Sequence, residues 1–281
     1  YWAVRYLNKP YVFSPVGSLP IFGRSKILKT AYNYIIGQAL VSHATGYVAV
    51  TQKEVLDFLP YGVDPKRVKV IPNGIRTELL FFEDKEEFLS KIGSPRGKIF
   101  LYIGRLNPIK GPDLLIDAFI QAQSTLNPTL DKDVLVIAGP DEGMGAELKS
   151  KVAQAGLTSR VYFVGYLDAR AKSQAYHACD VLVIPSRSEA MSIVAVEGGF
   201  CGLPVLLTNT CGFDIVDEVG GGKTVPPTVE GILEGLLFMK SHEAELPEIG
   251  RRLKERVTCD FTWDHVTDEL VHYIEKEILS S

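Results

Sequence analysis

Short, uninterrupted apolar runs, each followed by a stretch with helical spacing, recur through most of the chain. Ile99-Phe-Leu-Tyr-Ile103 precedes a helix over 112–124, and Val134-Leu-Val-Ile-Ala138 one over 145–155. Val161-Tyr-Phe-Val164 precedes a helix over 168–178, and Val181-Leu-Val-Ile184 precedes the helix that contains Glu197. Val205-Leu-Leu207, a turn at Gly220-Gly-Gly222 and a helix over 228–240 complete the series. Strands that are apolar on both faces belong in a parallel sheet covered by helices on both sides. The pattern therefore predicts a doubly wound α/β domain. Folds of this kind bind ligands beyond the carboxyl ends of their strands, so the residues that follow each run are where chemistry is expected.

The earlier part of the chain is less regular. Tyr11-Val-Phe13 reads as a short strand, and residues 24–45 as a helix whose inner face is Ile27, Ala31, Tyr34, Ile35 and Ala39. Tyr47-Val-Ala-Val50 is a buried strand, after which Thr51 caps a short helix with Glu54 at the capping-box position. Val68-Lys-Val-Ile71 is a further strand, closed by the turn signal Pro72-Asn73-Gly74. From Thr77 an acidic helix is expected, ending at Gly93-Ser-Pro-Arg-Gly97 as a hinge between two domains. The chain opens without Met on Tyr1-Trp2-Ala3-Val4, as if in the middle of a fold, so upstream sequence is expected.

Composition adds room and one asymmetry. With 281 residues, 46% hydrophobic and 23% charged, the chain can fill two domain cores. A net charge of −4 gives no argument for nucleic acid. Residues 1–76, however, carry ten Lys/Arg against three Asp/Glu, out of 30 and 34 in the whole chain. Either this part faces something anionic, such as a lipid headgroup or a phosphorylated acceptor, or the charges are scattered and solvated. Cys179, Cys201, Cys211 and Cys259 show no CxxC spacing and read as reduced thiols of a cytosolic protein. No apolar run reaches the length of a membrane span, and no signal peptide is visible. The five histidines form neither HxH nor HExxH, so no metal site is expected.

Candidate chemistry follows the strands. "GRLNPIKG" puts Arg105 and Lys110 on one loop between Gly104 and Gly111, a composition suited to a diphosphate or to two surface cations. The later "SRSEAMSIVAVEGG" holds Glu189 and Glu197, with seven residues between them. A helix starting near Met191, Ser192 and Ile193 would offer backbone N–H groups to an anion. Were both glutamates helical, they would stand about 12 Å apart along the axis and about 80° apart around it. A glycosidase pair needs carboxyls about 5–5.5 or 6.5–9.5 Å apart. They read as two clamps on one elongated ligand, or as an unrelated loop acid and helix acid. Gly220-Gly-Gly-Lys-Thr224 imitates the end of a phosphate-binding GxxxxGK[ST] loop, but Asp217 stands where its first glycine belongs. It reads as a turn.

Taken in order, "GRLNPIKG", "VIAGPDEG", "VYFVGYL", "CDVLVIPSRSEAMSIVAVEGGFCGLPV" and "FTWDHVTDELVHYIEKEI" resemble the C-terminal half of the retaining glycosyltransferases of family 4. "YVFSPVGSL" and "VTQKEVLDFLPYGVDPKRVKVIPNGI" resemble the later part of that family's N-terminal domain. The resemblance implies a GT-B fold of two Rossmann-like doubly wound domains, the N-terminal one incomplete. Residues 1–84 would be the remainder of that domain, 85–97 the linker and 98–258 the nucleotide-sugar domain, with 259–281 crossing back. It implies that Glu189 lies by the donor sugar and Glu197 by the ribose. Arg105 and Lys110 would neutralise the departing diphosphate, aided by amides around Ser192 and Ile193, while Val164-Gly165-Tyr166 meets the base. The donor would be a UDP or GDP sugar used without metal. The acceptor would be a glycan or lipid-linked molecule in cell-surface polysaccharide, lipopolysaccharide or glycolipid synthesis. The location would be cytoplasmic, with peripheral contact at an anionic membrane face. Ala190 and Ser192 stand where the family often has glycines, which turns attention to donor identity. The other reading is a non-catalytic nucleotide-diphosphate-binding module without an acceptor half.

Overall fold

Parallel sheets form where the apolar runs fall, in a computed structural model that describes residues 6–7, 9–20, 25–82, 84–124, 130 and 132–279. The opening Tyr1–Val4, and Arg5 and Arg24 of the basic N-terminal part, lie outside the described residues. The chain divides into two units, Tyr1–Gly74 with Trp263–Ser281, and Ile75–Thr262.

The first unit holds a parallel sheet of β1 (Val12–Phe13), β2 (Gly46–Ala49) and β3 (Val68–Val70), in that order. Every residue of β2 is buried. Tyr47 is its centre: its ring packs edge-on against Phe58, its hydroxyl donates to Val41 O at 3.1 Å, and its amide donates to Tyr273 Oη at 3.0 Å. Tyr273 ends the C-terminal helix Trp263–Tyr273, which runs on through a π turn at Ile274–Ile278. Helix α1 (Lys26–Tyr32), a π turn (Asn33–Gly37) and α2 (Gln38–Ser42) occupy the segment expected to be one helix. Its inner face differs from the expected one. Ile27, Tyr34 and Ile35 are exposed, whereas Gly37 and Val41 are buried. The π turn adds a residue and shifts the register, bringing Val41 beside Tyr47 and Asn33 Oδ1 within 2.9 Å of the Tyr61 hydroxyl. Thr51 accepts from the Glu54 amide at 3.3 Å as a cap should. The buried Glu54 carboxylate does not return the bond; it accepts from the amides of Val50 and Gly17 instead.

The second unit is built on six parallel strands in the order β6-β5-β4-β7-β8-β9. They are β4 (Ile99–Ile103), β5 (Val134–Ala138), β6 (Val161–Gly165), β7 (Val181–Ile184), β8 (Val205–Thr208) and β9 (Gly222–Val225). The helices are α3 (Glu86–Lys91), α4 (Pro112–Ser124), α5 (Gly145–Gln154), α6 (Ala169–Ala178), α7 (Ile193–Phe200), α8 (Ile215–Glu218), α9 (Val229–Ser241) and α10 (Leu246–Asp260). In place of one acidic helix from Thr77 there is a 3-10 turn at Thr77–Leu79 and then the short α3, which packs on α6. The glycine turn at 220–222 opens into β9, so Lys223 and Thr224 lie on a strand paired to Leu206 and Leu207 rather than at a helix start. The core runs between the sheet and α4, α5 and α9, through Leu115, Phe119, Leu148 and Leu236, all fully buried.

One charged pair lies at the edge of that core. The Asp133 side chain is fully buried just before β5, and its carboxylate accepts from the Lys98 amide at 2.8 Å. Lys240 of α9 brings its ammonium to 3.1 Å. Removing one member of a buried pair strands the other charge at a cost of about 3–5 kcal/mol. Lys240→Met should therefore lower stability by about 3 kcal/mol in thermal or denaturant unfolding. Adding Asp133→Asn to that variant should recover part of the loss.

Candidate functional site

The loops at the carboxyl edge of the six-stranded sheet are joined backbone to backbone. Gly104 N–H donates to Ala138 O at 3.0 Å and Leu106 N–H to Pro140 O at 2.9 Å, tying the loop after β4 to the loop after β5. Gly139 has φ +137°, and a Cβ there would stand 1.9 Å from Gly104 O. Gly111 has φ +66°, and its Cβ would stand 2.1 Å from Pro185 O in the loop after β7. Only glycine permits both approaches. Arg187 completes the join: its guanidinium donates to both Asp113 oxygens at 2.9 and 2.6 Å and to Pro108 O at 2.6 Å. Burial alone would raise the Asp113 carboxyl, but Arg187 holds it below its ordinary value.

Glu189 and Lys110 meet across this join. Lys110 Nζ lies 3.0 Å from Glu189 Oε1, the Glu189 side chain is only 10% exposed, and Ser186 donates its hydroxyl to the same oxygen. The Glu189 charge reaches neighbouring groups: burial first, then Glu189, pushes the Cys211 thiol up to about 11. It adds in the same way to burial in raising Tyr102, whose hydroxyl donates to Arg105 O at 2.8 Å. Arg105 is more exposed, and its guanidinium lies 3.2 Å from Glu142. Asn107 Nδ2 donates to the other Glu142 oxygen at 2.7 Å, and these two partners hold the Glu142 carboxyl below its ordinary value. Glu142, Asn107 and Ser186 were not among the residues expected from sequence.

Helix α7 begins at the expected place. Met191 and Ser192 are buried, and Ser192 is the residue before the first turn, with its amide donating to Cys211 O at 2.9 Å. Its hydroxyl makes no capping bond, is fully buried and has no hydrogen-bond partner. A buried hydroxyl left unpaired costs about 1–3 kcal/mol. It lies where the first amides of the helix, from Ile193 to Ala195, have no partner inside the helix and the dipole favours an anion.

Glu197 lies within α7, where a separate set of side chains holds it. Lys172 of α6 places Nζ at 2.7 and 2.8 Å from the two Glu197 oxygens, and Tyr176 donates its hydroxyl to Oε2 at 2.8 Å. Asp168 caps α6 by accepting from Ala171 N at 2.8 Å, so Lys172 lies in the first turn. A cation there opposes the helix dipole by about 0.3–1 kcal/mol. The Asp168 carboxylate at the cap offsets this from the helix end, and Glu197 pairs with the ammonium itself. Lys172 was not among the residues expected from sequence, since only the fold brings it to Glu197.

At the end of β6, Val164, Gly165 and Tyr166 line a cavity of about 370 Å³ together with Leu106, Gly139 and Asp141. Tyr166 is 75% exposed. Lys149 stands 5.6 Å above the Phe163 ring on the same wall. Asp141 accepts from the amides of Gly143, Met144 and Gly145 at 2.9, 3.0 and 2.9 Å, fixing the start of α5. The structure thus brings Lys110 to Glu189, Arg105 to Glu142 and Lys172 to Glu197, and sets Val164–Tyr166 around the cavity.

Comparison with known proteins gives the following. Residues 84–254 match the family described as glycosyl transferases group 1, and residues 1–79 match that described as glycosyltransferase family 4. The D-inositol 3-phosphate glycosyltransferase of Jonesia denitrificans is 31% identical over 88% of this chain and 61% of its own length. The protein of the same name from Rhodococcus erythropolis is 27% identical over 98% of this chain and 63% of its own length. The chain thus spans less than two thirds of these relatives. Among solved structures, Anabaena HepE in complex with UDP and glucose superposes with a TM-score of 0.79 at 22% identity, over 98% of this chain and 73% of that one. A sucrose-phosphate synthase from Thermosynechococcus elongatus has the same TM-score at 23% identity, over 100% of this chain and 71% of that one.

The Asp141 turn sets a pH dependence. Hydrogen bonds from Gly145 and Gly143 lead in holding its carboxyl below the ordinary value. A native value below the unfolded one adds stability above the unfolded value, which is lost as pH falls through the native value. Asp141→Ala should lower the melting temperature at pH 7 by a few degrees. The gap to wild type should narrow as pH drops below about 4.

Proposed function

The chain belongs to the glycosyl transferases group 1 family, and on that premise we propose that it serves transfer of a sugar from a nucleotide-diphosphate donor to an acceptor hydroxyl. The observation that carries this reading is the buried, unpartnered Ser192 hydroxyl at the start of α7. It suits a diphosphate oxygen, and the Lys110–Glu189 pair approaches the same loop from the neighbouring strand end. As the bond between the anomeric carbon and the diphosphate breaks, negative charge grows on the leaving group. Arg105, Lys110 and the first amides of α7 are the groups that would stabilise it, where stabilisation lowers the barrier.

Glu189 would then accept from hydroxyls of the donor sugar and Glu197 from the ribose, with the base in the cavity bounded by Val164, Gly165 and Tyr166. The UDP bound by Anabaena HepE supports a uridine donor. On the strength of the family-4 resemblance we propose that the transfer retains anomeric configuration. We extend the proposal to a glycan or lipid-linked acceptor in cell-surface polysaccharide, lipopolysaccharide or glycolipid synthesis, reached from the cytoplasmic side. The basic bias of residues 1–76 supports peripheral contact with an anionic membrane surface. No described helix is long and apolar enough to cross a membrane.

Calorimetric titration with UDP, GDP and ADP tests the reading. UDP should bind, and Glu197→Ala should weaken it at least about tenfold, or about 1.4 kcal/mol. Lys110→Ala should weaken UDP while leaving uridine unchanged. Unaltered UDP affinity in Glu197→Ala would remove the ribose assignment, and wild type that takes none of the three nucleotides would remove the donor.

A further inference from the structure

Lys172 and Tyr176 of α6 both hold the Glu197 carboxylate. The Lys172 ammonium is within 2.8 Å of both oxygens of Glu197, with side chains 26% and 15% exposed. Tyr176, one turn further along α6, donates to the same carboxylate at 2.8 Å. Burial first, and then the Glu197 charge, raises the Tyr176 hydroxyl well above its ordinary value. Tyr176 therefore remains a proton donor at any ordinary pH. An ionised carboxylate has about four acceptor directions, and these two side chains occupy three of them from one side. Glu197 itself is fixed from below: α7 packs so closely on β7 that a Cβ at Gly198 would stand 2.3 Å from Leu182 Cδ2.

We infer that Lys172 is a positioning residue, which holds Glu197 in one orientation so that its remaining acceptor direction faces the ribose hydroxyls of a nucleoside diphosphate. The inference rests on the ribose reading of Glu197 given above. Its chemical content is selectivity. A carboxylate locked in place can only accept, so it favours a ligand that presents hydroxyl donors there and disfavours one that lacks them. Released from Lys172, the same carboxylate can turn away, and the distinction between the two ligands shrinks. A lysine that merely stabilised the fold would change the melting temperature without changing that distinction.

The test is calorimetry on the full chain with UDP and 2′,3′-dideoxy-UDP. Wild type should prefer UDP by about tenfold, as expected for a hydrogen bond to a charged group. Lys172→Met should reduce this preference at least about threefold, Lys172→Arg should restore most of it, and Glu197→Ala should abolish it. Lys172→Met combined with Glu197→Ala should bind UDP no more weakly than Glu197→Ala alone. If Glu197→Ala abolishes the preference and Lys172→Met leaves it intact, the positioning role is overturned while the ribose reading stands. A double variant weaker than Glu197→Ala would also overturn it, since Lys172 would then touch the ligand directly. A preference unchanged in Glu197→Ala would remove the ribose reading, and the inference with it. Should Lys172→Met fail to fold, Lys172→Gln is read by the same ratio with the same outcomes.

Discussion

At Gly139 and Gly111, on the carboxyl edge of the six-stranded sheet, a carbonyl oxygen fills the space a side chain would need. Gly104 O stands against Gly139 and Pro185 O against Gly111. These contacts let the loops after β4, β5 and β7 lie against one another as backbone rather than as side chains. The pairings of Lys110 and Arg105 depend on that closeness. Lys110 reaches Glu189 because Gly111, the next residue, touches the loop that carries it. Leu106 donates across to Pro140 and Asn107 reaches Glu142, which in turn restrains Arg105. A parallel sheet brings its loops to one edge; the glycines decide how near they come.

The strands of the second unit were legible because burial on both faces leaves a continuous apolar word. β4, β5, β7 and β8 appear almost residue for residue where the pattern places them. β9 was missed for the complementary reason. It is an edge strand, Gly-Lys-Thr-Val, half-buried over three of its four residues, so it carries no such word. The helix after residue 24 misled for another reason. Its inner face was read from its largest apolar side chains, while a π turn and the small Gly37 set the face that packs. Periodicity reports a helix, but a π turn breaks the phase on which the inner face is read.

The site divides in the same way. Glu189, Glu197, Arg105 and Lys110 stood out because they follow strands and recur in the order of a known family. Their immediate partners did not. Lys172 and Tyr176 come from α6, Glu142 from the loop after β5, and Ser186 from the approach to Glu189. For Lys172, Tyr176 and Glu142 the partnership joins residues distant in sequence, which no local spacing encodes; Ser186, three residues before Glu189, is a local partner that the pattern did not single out. The exception is Ser192, whose place before α7 was expected, although its empty hydroxyl was not.

The pairing of charges has a kinetic consequence. Lys110 is matched by Glu189, Arg105 by Glu142, Lys172 by Glu197 and Arg187 by Asp113. Seen from more than a Debye length away, about 8–10 Å in ordinary salt, such pairs nearly cancel. They project little attraction towards an approaching dianion, unlike a cleft of one sign that steers its ligand. Capture of a nucleotide sugar would then rest on diffusion and close fit, and its rate would vary little with ionic strength. The cations act only at contact, which leaves simple inorganic polyanions with little advantage at this edge.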